Sequence, residues 1–342
     1  MNAGADHEFG FELRVCAWAE RNWPPESATE RPVIVARQLG TRGRRWDTIV
    51  VEVDADALER RAQFGENRLD GDLLHVIRNA PENWTYYRDA LPEPGYPWRY
   101  VREAIHRASD RGILEERKRG NRIEIRRIAP YPDWVDRLVV IENKPDLDAS
   151  AARALRDQLE RDVAYALADE VWLATRRTDH RVEPALLEDL PVEAGILAVG
   201  DGDAAVLWHP RTLPVERPGT VIEERGESTA YGDTAARFSY VEPTVKREKR
   251  LEIAERAYER GWRSFVETMR PDCRYFTLDR AADDFVPSCR ATGREQTAAE
   301  CRQSCPHFEP EPPAWRQRGW PIDGGPGKAI QRVLQARRNR LR

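Results

Sequence analysis

Residues 137–147, RLVVIENKPDL, constrain the fold more than any other stretch of the chain. Leu138, Val139, Val140 and Ile141 are consecutive and apolar, and three of the four are β-branched. Such a run reads as a strand covered on both faces. It stops abruptly at Glu142, Asn143, Lys144 and Pro145. Side chains alternate along a strand, so Glu142 and Lys144 share one face. Charges at the end of a core strand are costly unless something pairs with them or uses them. The lysine is also out of character. Of 55 basic residues only Lys118, Lys144, Lys246, Lys249 and Lys328 are lysines, and arginine stands almost everywhere else.

Around that strand the pattern alternates between helix and strand. Residues 6–20 place Phe11, Val15 and Trp18 at helical spacing, with Glu12 beside the apolar stripe. RPVIVARQLG and RRWDTIVVEVD predict a hairpin turning through GTRGR, with Asp47 opening its second strand. From 56 to 128 the texture changes: two helix-like segments, GDLLHVIRNA and PWRYVREAIHRASDRG, precede two short strands turning at Lys118–Asn121. Helices followed by a basic hairpin predict an inserted winged-helix-like domain. Residues 98–128 hold ten Lys and Arg against five Asp and Glu, in a chain whose net charge is -4. After 147 a helix with Ala152, Leu155, Leu159, Val163 and Leu167 inward is expected, then strands in EVWLATRR and AGILAVGDGDAAVLWHP. The segment near 210–240 reads as linker, 244–269 as a charged helix, and 216–342 as a mostly helical C-terminal region ending in a basic tail.

With 56–128 set aside, residues 1–55 and 129–215 run helix, strand, strand, strand, helix, strand. Asp47 opens DTIVVEV and Glu142-Asn143-Lys144 closes LVVIENK. On these residues the chain resembles the PD-(D/E)XK, or restriction-endonuclease-like, nuclease superfamily. The resemblance implies an α/β core with a mixed central sheet flanked by helices, and hydrolysis of DNA phosphodiester bonds. It implies Asp47 and Glu142 as ligands of Mg²⁺ (or Mn²⁺), Lys144 as the catalytic lysine and Glu12 as an accessory acid. Gln158 and Tyr165, seven apart on the following helix, match a further feature of such cores. The chemistry accounts for the charged strand end. Two carboxylates on adjacent strands hold a hard cation, which polarises phosphate and acidifies water. A nearby ammonium orients that water or stabilises developing charge. Pro132-Asp133 is an alternative first acid, although it precedes Glu142 too closely for an easy hairpin. Glu116-Arg117-Lys118 repeats the E-x-K spacing without an apolar strand before it, and reads as a solvated hairpin.

Cys273, Cys289, Cys301 and Cys305 cluster near the C-terminus, separated by 15, 11 and 3 residues. No CxxC knuckle occurs. In a chain expected to be cytoplasmic the clustering favours a metal over disulfides, either Zn²⁺ or a [4Fe–4S] cluster. The resemblance adds that some such nucleases carry iron–sulfur clusters with one ligand ahead of the core. Cys16 sits where that ligand would, but on an apolar helix face it reads as packing. His307 is a weaker candidate ligand. No apolar run reaches bilayer length and the first residues lack a secretory pattern, so a membrane is not expected as a partner. The expected partner is DNA. The rival expectation is a DNA-binding regulator whose nuclease-like core does not cleave.

Overall fold

The sheet that organises the molecule has six strands in the order β1-β2-β6-β7-β8-β9. These are β1 (Val33–Gly40), β2 (Arg45–Val53), β6 (Val135–Asn143), β7 (Glu170–Arg176), β8 (Gly195–Val199) and β9 (Ala204–Trp208). β1, β2 and β6 are antiparallel neighbours, β6, β7 and β8 run parallel, and β9 returns antiparallel. The computed structural model describes residues 3–27, 31–41, 43–177, 188–200, 202–225, 236–262, 273–281, 284–295 and 305–309. The expected mixed sheet flanked by helices is thus observed. No helix among the described residues is long and apolar enough to cross a membrane.

The apolar runs of β2 and β6 explain their central position, because both faces of each are covered. On one face α1 (Ala3–Asn22) packs Phe11, Val15 and Trp18 against Val35, Val50, Val139 and Ile141. On the other, α6 (Ala149–Tyr165) and α7 (Pro243–Arg260) bring Leu159, Ile253 and Tyr258 against Ile49, Leu138, Val140 and Leu173. Each such fully buried side chain contributes roughly 1.5–3 kcal/mol. Of the inward set expected for α6, Ala152, Leu155 and Leu159 are buried and Val163 only partly so, while Leu167 is buried but lies past the helix end.

Between β2 and β6 the chain leaves the sheet and returns beside its point of exit. Val53 pairs with Val135, and the Asp54 amide donates to the Trp134 carbonyl at 3.2 Å. The excursion comprises α2 (Ala55–Ala62), α3 (Gly71–Asn79), β3 (Thr85–Tyr86), α4 (Tyr87–Ala90), α5 (Trp98–Asp110), β4 (Leu114–Arg119) and β5 (Arg122–Arg127). Its strands form a separate sheet ordered β3-β5-β4. It also has its own core, with Leu73 and Ile77 of α3 against Val101 and Ile105 of α5 and Leu114 and Ile125 of the hairpin. Asp70 caps α3 by accepting from the Leu73 amide at 3.0 Å.

A buried network joins this unit to the sheet. Both nitrogens of an Arg61 fork reach Glu255 of α7 at 2.5 Å, and Glu255 also accepts from the Leu69 amide and the Tyr131 hydroxyl, each at 2.7 Å. The Arg61 guanidinium lies 4.2 Å from the centre of the Tyr258 ring. Four donors saturate the Glu255 oxygens, which is what a fully buried carboxylate requires.

The C-terminal part departs from expectation. Residues 216–342 were expected to be mostly helical, with linker before them. Their described portion instead holds a hairpin, β10 (Gly219–Arg225) with β11 (Ala236–Val241), then α7, then a sheet of β12 (Phe276–Ala281), β13 (Asp284–Cys289) and β14 (Arg294–Glu295). The basic tail from Lys328 lies outside the described residues.

Candidate functional site

Three strands align polar residues in one row across the sheet. In the β1–β2 register Arg37 faces Thr48 and Leu39 faces Trp46, so Gln38 stands opposite Asp47. In the β2–β6 register Ile49 faces Val140 and Thr48 faces Ile141, so the next step puts Asp47 opposite Glu142. Residues directly opposite on antiparallel strands point to the same face, with Cβ atoms about 4.5–5.5 Å apart. Two carboxylates separated by 95 positions of sequence thus become neighbours at the end of the apolar core. Lys144 follows just past β6, half-buried, and its amide donates to the Ala174 carbonyl at 2.8 Å. That bond carries the strand geometry one residue further, which keeps Lys144 on the Glu142 side. Asp133 is exposed and precedes β6, at the strand end opposite to Glu142.

Glu12 enters from the buried face of α1. Its Oε1 accepts from Arg37 Nε at 2.9 Å and Gln38 Nε2 at 3.1 Å, and the same Gln38 amide donates to Asp47 Oδ1 at 3.0 Å. Gln38 bridges the two acids from an unusual backbone, with φ of 52° inside a strand. That region is costly for a residue with a Cβ and persists where the surroundings enforce it. Asp47 Oδ2 accepts the Asn143 amide at 2.9 Å.

Arg44, read in the sequence only as part of a turn, forms the other side of the site. Gly40 makes room for it: a Cβ there would lie 2.0 Å from the Arg44 carbonyl oxygen. Arg44 Nη2 donates to Glu142 at 2.8 Å, while Nε and Nη2 fork onto Asp162 of α6 at 3.0 and 2.8 Å. Burial alone would lower the Arg44 pKa, but Asp162 and Glu142 outweigh it and keep the guanidinium charged. Gln158 of α6 turns its amide toward Glu142. Its buried Nε2 nevertheless lacks a hydrogen bond of proper geometry, as does Asn143 Oδ1. Tyr165, the second helix residue singled out, is half-buried against the core below α6.

The electrostatics follow from this crowding. Burial first, and then the Asp47 charge, push Glu142 up to about 7 although Arg44 opposes them. Burial also raises Glu12, with Asp47 adding to the effect and Arg37 countering it. Asp162 is raised by burial against the pull of Arg44. A pair of hard carboxylate oxygens short of compensating positive charge suits Mg²⁺ or Mn²⁺, which bind through one or two carboxylates and fill their remaining positions with water and phosphate. Glu12 is tied to Arg37 and Gln38 instead. Among the described residues no three His, Cys, Asp or Glu side chains converge as a metal-holding group.

A family match covers residues 34–310: the family of unknown function DUF5787. The chain belongs to that family. No curated protein matches it, and neither does any solved structure. The matched span contains Gln38, Arg44, Asp47, Glu142, Lys144 and Asp162 together with the whole inserted unit, while Glu12 precedes it.

Two further clusters were singled out by the sequence. A groove of about 1000 Å³ lies between α5 and the β4–β5 hairpin, lined by Arg99, Arg102, His106, Arg117 and Lys118 among others. Arg117 and Arg126 approach opposite strands' common neighbour Trp84, 4.4 and 5.0 Å from its ring centre. Glu116 of the second E-x-K spacing bonds to His106 at 3.0 Å on this outer hairpin, away from the carboxylate row. Of the cysteines, Cys16 is packed in the α1 face, 3.3 Å from the Thr48 hydroxyl, and burial holds its thiol protonated. Cys273 and Cys289 come to the same end of the β12–β13 hairpin, since Phe276 pairs with Cys289 and donates its amide to the Cys273 carbonyl at 3.0 Å. The Arg274 amide donates to the Glu309 carbonyl at 2.8 Å, which draws the segment of Cys305 and His307 to that end as well. Cys301 lies outside the described residues.

Proposed function

We propose that the chain is a divalent-metal-dependent nuclease that hydrolyses phosphodiester bonds of DNA, on a core similar to the PD-(D/E)XK superfamily. One observation carries this reading: Asp47 and Glu142 stand opposite each other at a sheet end, with Lys144 two residues beyond on the same face. Asp47 and Glu142 would hold the cation. When bound, Mg²⁺ or Mn²⁺ supplies Lewis acidity toward a phosphoryl oxygen and lowers the pKa of water. Lys144 contributes a compact ammonium that orients the attacking water or meets charge developing on phosphorus. Gln38 fixes Asp47, and Arg44 holds Glu142 against α6, so the two carboxylates keep their separation before substrate arrives. Glu12 acts one step back, by positioning Gln38.

The excursion between β2 and β6 is read as a winged helix. The order of its elements and the β3-β5-β4 sheet support that, with α5 as the helix for a groove and β4–β5 as the wing. Arginines flanking the α5 groove supply phosphate contacts of the fork geometry. At the C-terminus we read the four cysteines as a structural metal site, of Zn²⁺ or an iron–sulfur cluster. The cytoplasm is the compartment this reading expects.

The test is cleavage by purified protein of circular, linear and single-stranded DNA with Mg²⁺ or Mn²⁺, against EDTA. Metal-dependent cleavage lost in Asp47→Asn and retained in Asp133→Asn is the expected result. The reverse pattern would move the site to the other end of β6. A second reading has one observation in its favour, the grip of Arg44 on Glu142, which already gives that carboxylate a cation. On this reading the protein binds DNA as a regulator, equally well with chelator present, and never cleaves.

A further inference from the structure

A second cleft, of about 480 Å³, opens where the β1–β2 turn, the loop ahead of α3 and the exposed face of α7 meet. Its lining includes Gly40, Thr41, Arg68, Lys249, Glu252 and Arg256. On α7 the residues Lys249, Arg256 and Arg260 are spaced seven and four apart, so they form one stripe along the helix. At 1.5 Å per residue the stripe is about 16 Å long. Arg256 donates to the Gly40 carbonyl and thereby ties α7 to the turn that delivers Arg44. Asp70, also on the lining, is already engaged by Arg107 of α5 at 2.7 Å. Glu248, Glu252 and Glu259 then stand against Arg68, Lys249, Arg256 and Arg260, and Glu259 reaches Arg68 only at 3.9 Å.

These cations crowd one another. Burial pushes Arg256 downward; Glu252 opposes it, and the smaller contributions of Arg68 and Arg260 add to the downward push. Arg260 is pushed down by burial and by Arg37, with Glu259 opposing and Arg68 adding a smaller push. A face meant only for solvent would let such side chains splay apart into water. Here Arg68, Lys249 and Arg256 line one cleft, and Arg260 continues their stripe one turn beyond it on α7. At one end Arg260 is in the field of Arg37, which holds Glu12; at the other, Asp70 and Arg107 lead to α5 of the inserted unit.

We propose that this cleft is a phosphate track, carrying consecutive phosphodiesters of a nucleic-acid strand between the inserted unit and the carboxylate pair. The inference takes its ligand class from the proposed nuclease activity, but it requires binding only and no cleavage. A stripe of about 16 Å matches four to five nucleotides of one strand at about 3.4 Å each along a duplex axis. Phosphate contacts of this kind fix path and polarity without reading sequence. Bound phosphates also relieve the repulsion among Arg68, Arg256 and Arg260.

Fluorescence anisotropy with labelled DNA and RNA oligonucleotides, single- and double-stranded, in EDTA across a salt titration tests the track. The triple variant Arg68→Gln, Lys249→Gln, Arg260→Gln leaves Arg256 on Gly40. It should bind at least tenfold more weakly at low salt, with the slope of log K against log salt smaller by about 2 to 3. Lys249→Glu alone should lower the slope by about 1, and it decides the matter if the triple variant does not fold. Unchanged affinity and slope in the track variants overturns the proposal, and so does a wild type that binds no oligonucleotide. Loss of binding in the track variants, from a wild type that never cleaves, upholds the track and removes the nuclease reading. The oligonucleotide whose slope falls most identifies the strand form that the track accepts.

Discussion

Removing the charge of Glu142 should stabilise the protein while abolishing the proposed cleavage. Glu142 is raised from an ordinary 4.5 to about 7 by burial and by Asp47. One pKa unit is worth 1.36 kcal/mol, so at a pH above both values the ionised carboxylate costs roughly 3 kcal/mol of folding free energy. The sign follows from proton uptake. The folded state holds this proton more tightly than the unfolded chain, so its contribution is fully present below pH 4.5 and is lost as pH rises through about 7. Glu142→Gln keeps the shape and discards the charge. Arg44 loses one acceptor but retains its fork on Asp162, which returns part of the gain. Thermal melting in EDTA should therefore show the variant above the wild type at pH 8.5, by on the order of 5 °C, and level with it at about pH 4. With Mg²⁺ added in excess the gap should narrow, because only the wild type has both carboxylates to bind it. A variant that melts lower at pH 8.5, or by the same margin at both pH values, would show that Arg44 compensates Glu142 fully and that the carboxylate is structural.

Lys144→Ala should lower cleavage by two orders of magnitude or more while leaving oligonucleotide affinity within about twofold, since phosphate contacts elsewhere carry binding; wild-type cleavage would remove Lys144 from the chemistry. Glu255→Gln should cost about 3–5 kcal/mol in denaturant unfolding, because it leaves the buried Arg61 charge without its partner. A loss below 1 kcal/mol would mean that the bonds Arg61 already donates to the Gly65 and Asn67 carbonyls are enough to hold its charge without Glu255. Cys289→Ser should release bound metal and expose the β12–β14 region to protease before the rest of the chain, since structural metal sites contribute folding free energy directly. Elemental analysis of the wild type that finds neither zinc nor iron would end that reading.

How far the site was legible depended on whether a residue belonged to a periodic pattern. β2 and β6 announce themselves by unbroken apolar runs, and Asp47 and Glu142 are conspicuous as the charges that end those runs. Their pairing across 95 positions needs only that the inserted unit begin and end at one place, which the Val53–Val135 pair provides. Gln38 carried a weaker signal: Arg37 and Gln38 are adjacent polar residues in an otherwise apolar strand, and two in a row break the alternation. Its role depends on a left-handed backbone that no pattern reveals. Arg44 in a turn had no signal, because solvated turns are written with the same residues; Asp162 had one, since it stands three residues after Leu159 and seven after Leu155 on the buried stripe of α6, where a charge is out of place. The β10–β11 hairpin reads as linker in the sequence, since prolines and glycines crowd around it. β12 and β13 are short and charged, and Pro287 interrupts the second, so strand periodicity is weak there.

Glu255 and Glu142 are both carboxylates beneath the surface near arginine, yet their surroundings assign them different roles. Glu255 has four donors on its two oxygens and an arginine of its own, an arrangement that is complete without any ligand. Glu142 shares Arg44 with Asp162 and faces Asp47, while the Gln158 amide turns toward it without a well-formed hydrogen bond. Glu12 and Arg37 cancel each other at the margin of the site. Fully ionised, Asp47, Glu142 and Asp162 oppose Arg44 and Lys144, which leaves one negative charge in excess. A phosphodiester alone would deepen that excess, and a divalent cation alone would reverse it. The two together bring the site to neutrality. A carboxylate pair built only for stability has no reason to hold such an imbalance, whereas one that must accept a cation and an anionic substrate together is balanced only when both are bound.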